Sequence, residues 1–202
     1  FLVGNKTNIL KVAKECNLDL SNMELIDEPD VAKCGDVCTQ LVNSGKASVM
    51  MKGLVGSSDY MRAILNKEKG LRSGRLLSHV ALFDLPTYHK FLAVTDAAVN
   101  IRPTLEEKMG IIGNAAEVLK CIGVKKPKVA VICAVETVNP DKMPATADAQ
   151  KLSAMAKEGK LGDVYVDGPF ALDVAVSKHA AKVKKLDNMD VPGDADVILA
   201  DD

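Results

Sequence analysis

Short apolar runs alternate along this chain with longer stretches in which apolar residues recur every three or four positions. The first pattern is that of a strand buried on both faces; the second is that of a helix with one face in a core. Residues 1–4 form the opening apolar run, and Asn5 or Thr7 then caps a helix carrying Ile9, Leu10 and Ala13. Residues 23–27 read as a second strand closed by Glu28 and Pro29. Asp30 opens a helix through Val37, Leu41 and Val42, which Gly45 ends. Residues 47–51 read as a third buried strand, and a helix from Asp59 carries Met61, Ile64 and Leu65. Strands are predicted at 78–83 and 90–94, and a long amphipathic helix at 104–122, with Ile111, Ile112, Ala115, Val118 and Leu119 on its apolar side. A strand at 129–134, a helix at 145–157, a strand at 163–166, a helix at 170–184 and a strand at 196–202 complete the series.

This alternation predicts an α/β fold with a mostly parallel sheet covered on both faces. The long helix that begins after Pro103 sets the expected boundary between two α/β domains, 1–103 and 104–202. Phe1 stands inside an apolar run and the last strand runs to Asp202, so the expectation is a middle portion of a longer protein, with the first domain completed from outside it.

Composition narrows the partners. Lys and Arg number 26 against 27 Asp and Glu, a net charge of −1 that provides no field for nucleic acid or an anionic membrane. Aromatic residues make up 3% and Trp is absent, which argues against base-stacking platforms. No apolar run approaches the ~20 residues of a membrane span. The five cysteines (16, 34, 38, 121 and 133) are odd in number and suit a reducing cytoplasm better than a disulfide framework. Cys34 and Cys38 share a helix face but have no Cys/His ligand pattern around them, so they read as packed thiols and no metal site is expected.

Ligands of open α/β sheets bind beyond the C-terminal ends of the strands, which directs attention to the loops there. The loop from Lys52 to Arg62 offers Gly53 and Gly56, the hydroxyls of Ser57 and Ser58, and a helix start. That set suits a phosphate, with Arg62 supplying charge-assisted bonds; equally, it suits an ordinary helix cap. It is not a P-loop. Asp96, Asn100 and Arg102 follow the strand at 90–94, as cleft groups or as turn residues before Pro103. Residues 135–146 bring Glu136, Met143, Pro144 and Thr146, on a substrate-facing or a solvated loop. Gly168 and Pro169 predict a turn with Pro169 at a helix start, and Asp173 faces a cleft or favours the first helical turn. His79 in a strand, His89 in a loop and His179 on a helix suggest no nucleophilic triad. Lys182, Lys184 and Lys185 read as a solvated helix face.

Taken together, these strings resemble the phosphotransacylases, the family of phosphate butyryltransferases and phosphate acetyltransferases. The matching residues are Met51-Lys-Gly-Leu-Val55, Asn66 through Val80, Thr95-Asp-Ala-Ala-Val-Asn-Ile-Arg-Pro103, Ala134 through Pro140 with Met143-Pro-Ala-Thr146, Asp167-Gly-Pro-Phe-Ala-Leu-Asp173 and Gly193 through Leu199. Glu136-Thr-Val-Asn-Pro140 resembles the butyryltransferases more than the acetyltransferases, whose loop there is rich in Ser, Thr and Gly.

The resemblance implies two α/β domains of the isocitrate/isopropylmalate dehydrogenase type, with the site in a cleft between them, commonly in a homodimer. It implies reversible transfer of a short acyl group, butyryl or related, between coenzyme A and inorganic phosphate, without a metal or redox cofactor. Gly56, Ser57, Ser58 and Arg62 correspond to the phosphate site, and Asp96, Asn100, Glu136 and Asp173 to further cleft positions with catalytic roles. Such a reaction needs donors for a charged phosphate, a base for the coenzyme A thiol and donors for a tetrahedral oxyanion. The family's Glu-Ala-Gly-Asn stretch and its Ser-Arg motif do not occur in the 202 residues, so the expectation is a chain that holds the phosphate side and lacks the thiol side. Two other readings stand beside this one. One is an NAD-linked decarboxylating dehydrogenase of similar fold; the other is a non-catalytic module that binds coenzyme A or acyl phosphate.

Overall fold

A computed structural model describes residues 1–201; Asp202, the end of the expected last strand, lies outside the described residues. The chain forms two compact units that divide between Arg75 and Leu76.

The first unit holds β1 (Leu2–Gly4), α1 (Lys6–Glu15), β2 (Leu25–Asp27), α2 (Val31–Asn43) and α3 (Ser57–Ile64). β1 and β2 pair in parallel, Leu2 opposite Leu25. The helix starts are local chemistry: the Asn5 side chain accepts from the Asn8 N–H, and the Asp30 side chain from the Ala32 N–H. α2 ends where Gly45 turns to φ +72° and the Lys46 N–H reaches back to the Leu41 carbonyl. Gly35 lets α2 meet α3 closely, since a Cβ there would stand 2.7 Å from the Ala63 Cβ. The strand expected at 47–51 does not form, and Val49, Met51 and Leu54 are exposed. An apolar run specifies burial, whereas a strand also needs a partner in register. Ala47, Val49, Met50 and Met51 instead help line a cavity of about 630 Å³ with Leu2 of β1 and Cys34, Cys38 and Leu41 of α2.

The second unit is built on one sheet. Its elements are β3 (Ala81–Phe83), β4 (Leu92–Thr95), α4 (Leu105–Cys121), β5 (Lys128–Ile132), α5 (Pro144–Lys157), β6 (Tyr165–Phe170), α6 (Leu172–Val176), α7 (Lys178–Val183) and β7 (Val197–Leu199). The strand order is β3-β4-β7-β5-β6, all parallel except β3. Alternation along the strands fills both faces: Val197 and Leu199 of β7 join Ile111, Ile112, Leu119 and Leu152 on one side. On the other side, Ile198 packs with Phe170, Val174 and Val191. The fold is therefore mixed α/β with mostly parallel sheets, as the sequence pattern predicts.

Four expectations shift within this unit. The boundary expected at Pro103 falls inside it, because β3 and β4 belong to the same sheet as β5, β6 and β7. Gly168 and Pro169 lie inside β6 rather than in a turn, since a Cβ on Gly168 would stand 2.8 Å from the Val131 carbonyl oxygen and only glycine permits that approach. The single helix expected at 170–184 is two: Phe170 ends β6, and extended Ser177 separates α6 from α7, its side chain capping Ala180 at 3.2 Å. His79 also lies outside any strand, and its carbonyl accepts from the Thr95 hydroxyl at 2.6 Å. By contrast, α4 opens as predicted, with a capping box between Thr104 and Glu107.

Candidate functional site

Because β4, β7, β5 and β6 run in parallel, their C-terminal ends lie along one edge of the second unit's sheet. Asp96 directly follows β4 and is 5% exposed. Its carboxylate accepts from the N–H groups of Ala98 and Val99, each at 3.0 Å, and of Asn100 at 3.2 Å. Asn100 Nδ2 donates to the same carboxylate at 2.5 Å and to the Leu77 carbonyl at 3.0 Å. Burial pushes the Asp96 pKa up, but these donors outweigh it and hold the carboxyl below its usual value. Asp96 and Asn100 thus come together as the ionised pin of a tight loop.

Glu136, four residues beyond β5, and Asp173, in the first turn of α6, meet through a third residue. Lys184 Nζ donates to Glu136 Oε1 at 2.6 Å and to Asp173 Oδ1 at 3.1 Å. The ammonium lowers both carboxyl pKa values, and they raise its own. Lys184, expected on a solvated face, is the bridge between two candidate residues.

Met143, Pro144 and Thr146 form the entry to α5. Pro144 occupies the first helical position, and the Met143 N–H donates to the Asn139 carbonyl at 2.8 Å. Thr146 is fully buried; its hydroxyl donates to the Met143 carbonyl at 2.7 Å and accepts from the Asn139 N–H at 2.9 Å. With both roles used, that hydroxyl staples the loop.

At the same sheet edge stands a group absent from the sequence reading. Lys108, in the first turn of α4, bonds Asp148 of α5 at 2.9 Å and pairs with Asp201, which follows β7. The signal was legible in principle: Lys108 sits on the apolar stripe with Ile111, Ile112, Ala115 and Leu119. Burial and the Asp201 carboxylate push the neighbouring Cys133 thiol up to about 11, so it is a neutral, packed group.

The remaining candidates lie in the first unit. Gly56 precedes α3, and no side chain caps the helix there. Gly56, Ser57 and Ser58 are exposed. First-turn N–H groups without a side-chain partner at the positive end of a helix suit an anion. Arg62 is exposed and donates to Asp59 at 2.8 Å. A guanidinium has five donors, so this pair leaves it further capacity. The Asp59 carboxylate itself leans toward the helix start, 3.4 Å from where a Cβ on Gly56 would stand. Among the described residues no cluster of His, Cys, Asp and Glu could hold a metal ion, and no helix is long and apolar enough to cross a membrane.

Residues 30–201 match the family model described as phosphate acetyl/butaryl transferase. The chain belongs to the phosphate acetyl/butaryl transferase family. Over 198 residues it is 44% identical to a phosphate butyryltransferase of Clostridium acetobutylicum, which covers 98% of this chain and 65% of that protein. A phosphate acetyltransferase of Rickettsia typhi is 40% identical over 202 residues, all of this chain and 57% of that protein. The chain thus spans less than two thirds of either relative. Among solved structures, a branched-chain phosphotransacylase from Enterococcus faecalis matches with a TM-score of 0.82 and 28% identity, over 100% of this chain and 79% of that one. Membership of this family does not favour the dehydrogenase reading.

Proposed function

We propose that the protein carrying this chain transfers a short-chain acyl group reversibly between coenzyme A and inorganic phosphate. The observation that carries this reading is the family match across residues 30–201. In one direction a phosphate oxygen attacks the thioester carbonyl. The tetrahedral intermediate then expels the thiolate, giving acyl phosphate and coenzyme A. Those atoms balance without a metal or an electron carrier.

In this reading the start of α3 holds the phosphate. The N–H groups and hydroxyls at Gly56, Ser57 and Ser58 face its oxygens, and Arg62 adds a charge-assisted bond. Arg62 keeps phosphate charged without giving it a proton, as a nucleophile requires. In the second unit, Asp96 and Asn100 fix the loop after β4, while Glu136 and Asp173 act as carboxylates near the reacting groups. Lys184 lowers the pKa of both, which keeps them in the proton-accepting form and makes them weaker bases. Met143 and Pro144 line the acyl side, and Thr146 sets their loop. The finer architecture follows the same reading: two α/β domains of the isocitrate/isopropylmalate dehydrogenase type, a homodimer and a cytoplasmic location. Light scattering on the purified protein tests the dimer.

The decisive assay is coenzyme A release from butyryl-CoA, with acetyl-CoA and a branched acyl-CoA in parallel, each with and without phosphate. Phosphate-dependent release from at least one supports the reading. Release from none of them, by a folded full-length protein, overturns it.

A further inference from the structure

A lysine in the first turn of a helix works against the helix dipole, and burying an ammonium is costly unless it is paired. Lys108 meets both penalties: it lies one turn into α4 and is 4% exposed. Its two partners come from different elements, Asp148 from α5 and Asp201 from the residues after β7. One ammonium therefore ties the starts of two helices to the end of the central strand. The cluster carries two carboxylates and one ammonium, a net charge of −1, which makes it a poor phosphate site. Among the three, Asp201 has the most exposed side chain, at 37% against 26% for Asp148 and 5% for Lys108. β7 is only three residues long, and its ladder closes with the Ala200 N–H on the Thr95 carbonyl at 2.9 Å. That bond also places the end of β7 beside Asp96 and its loop.

We propose that Lys108 is a positioning residue: by holding Asp201 and Asp148 it fixes where the chain leaves β7, at the sheet edge that carries the acyl-transfer groups. This rests on the acyl-transfer reading for its kinetic consequence and on the ion cluster for its structural one. Lys108 acts through Asp201 and the Ala200–Thr95 contact and touches no substrate. Its loss lowers turnover and leaves phosphate binding alone, because the phosphate groups belong to the other unit.

The experiment compares wild-type full-length protein with Lys108→Met, Lys108→Arg and Asp201→Asn. Phosphate-dependent coenzyme A release gives kcat and the phosphate KM; hydrogen exchange reports the Ala200 amide. The expected result for Lys108→Met is a kcat at least tenfold lower, a phosphate KM within twofold, and exchange at Ala200 at least tenfold faster. Lys108→Arg, which keeps the charge, recovers most of kcat. A folded Lys108→Met with unchanged kcat or unchanged exchange overturns the proposal, as does an equal loss in Lys108→Arg, which would assign the effect to packing. Should Lys108→Met fail to fold, Asp201→Asn decides: it keeps the Lys108–Asp148 pair and is expected to show the same kcat loss and faster exchange, and wild-type values overturn the proposal. A wild-type protein without phosphate-dependent release removes the acyl-transfer reading, and the exchange data alone then decide whether Lys108 holds the end of β7.

Discussion

The two units hold their polar groups in opposite ways. In the second unit a five-stranded sheet is covered on both faces, and charges such as Lys108, Asp96 and Asp196 are buried with two or more partners each. In the first, two three-residue strands carry the sheet, and the candidate phosphate groups sit on a surface helix with one exposed ion pair. On the proposed acyl-transfer reading, the difference separates two jobs. Groups that must keep a geometry are built into a packed sheet edge, while groups that must exchange a partner for a ligand stand where that exchange is cheap. Buried pairs cost several kcal/mol to break, exposed ones about 0–1 kcal/mol.

The sharpest way to break this comparison is through the cores. Leu152 is fully buried between α5 and the sheet, and Leu152→Ala is expected to destabilise by about 2–5 kcal/mol. Leu10 on α1 is 48% exposed, and Leu10→Ala is expected to cost no more than about 0.5 kcal/mol. Urea titration followed by pulse labelling, which reads peptides of each unit separately, measures both. Equal losses would mean that Leu10, on the surface of the first unit, is packed as firmly as Leu152 in the core of the second.

A smaller effect is expected at the glycines. Gly168→Ala brings a Cβ to 2.8 Å from the Val131 backbone oxygen on the adjacent strand β5, and should cost about 1–3 kcal/mol. Gly35→Ala brings one to 2.7 Å from the Ala63 methyl, between two helices. α3 is eight residues long and can shift, so this change is expected to cost less. Thermal unfolding of the two variants, compared with the wild type, ranks them; a larger loss in Gly35→Ala would reverse the contrast between rigid and yielding packing.

These contrasts also explain what was legible in the sequence. α2 and α4 were readable almost to the residue because their caps, Asp30 and the Thr104–Glu107 box, are made by neighbours in sequence. The parallel sheet was readable from its apolar strands. Residues 47–51 misled because pairing depends on a distant strand, and Gly168 misled because the reason for it is Val131, on another strand. The site divided the same way. The chemistry of each loop could be read from its residue types, but Lys184 gains its meaning only when the fold brings Glu136 and Asp173 to it. Lys108 lies 40 residues from Asp148, and only its break in an apolar stripe announced it.

Acid should separate the units more gently. Burial raises the Asp194 pKa, but bonds from Lys128, His89 and Lys90 outweigh it and hold the carboxyl far below its ordinary value; Asp96 is lowered too. A carboxyl whose pKa is lower in the folded state adds stability that is present above the unfolded value of 3.8 and is lost as pH falls toward the folded one. In the first unit Asp19 is lowered as well; it is fully exposed, and its partner is Ser21. The same pulse-labelling titration at pH 7 and at pH 3 should therefore lower the urea midpoint of second-unit peptides more than that of first-unit peptides. Parallel falls would mean that the half-buried network around Asp194 contributes no more than a surface turn.

The smallest change in stability is expected where the functional change is specific. Arg62 is 66% exposed in its pair with Asp59, so Arg62→Ala should cost no more than about 1 kcal/mol. On the proposed reading its effect belongs to the phosphate. Without the guanidinium, the start of α3 keeps only N–H groups, the two hydroxyls and an Asp59 carboxylate no longer neutralised, which repels an anion. The phosphate KM of the full-length protein is expected to rise at least several-fold. Arg62→Lys keeps the charge but loses the planar fork, and should fall between the two. A phosphate KM that Arg62→Ala leaves unchanged would remove α3 from the phosphate site, and with it the idea that the looser unit is loose because it must trade an ion pair for a ligand.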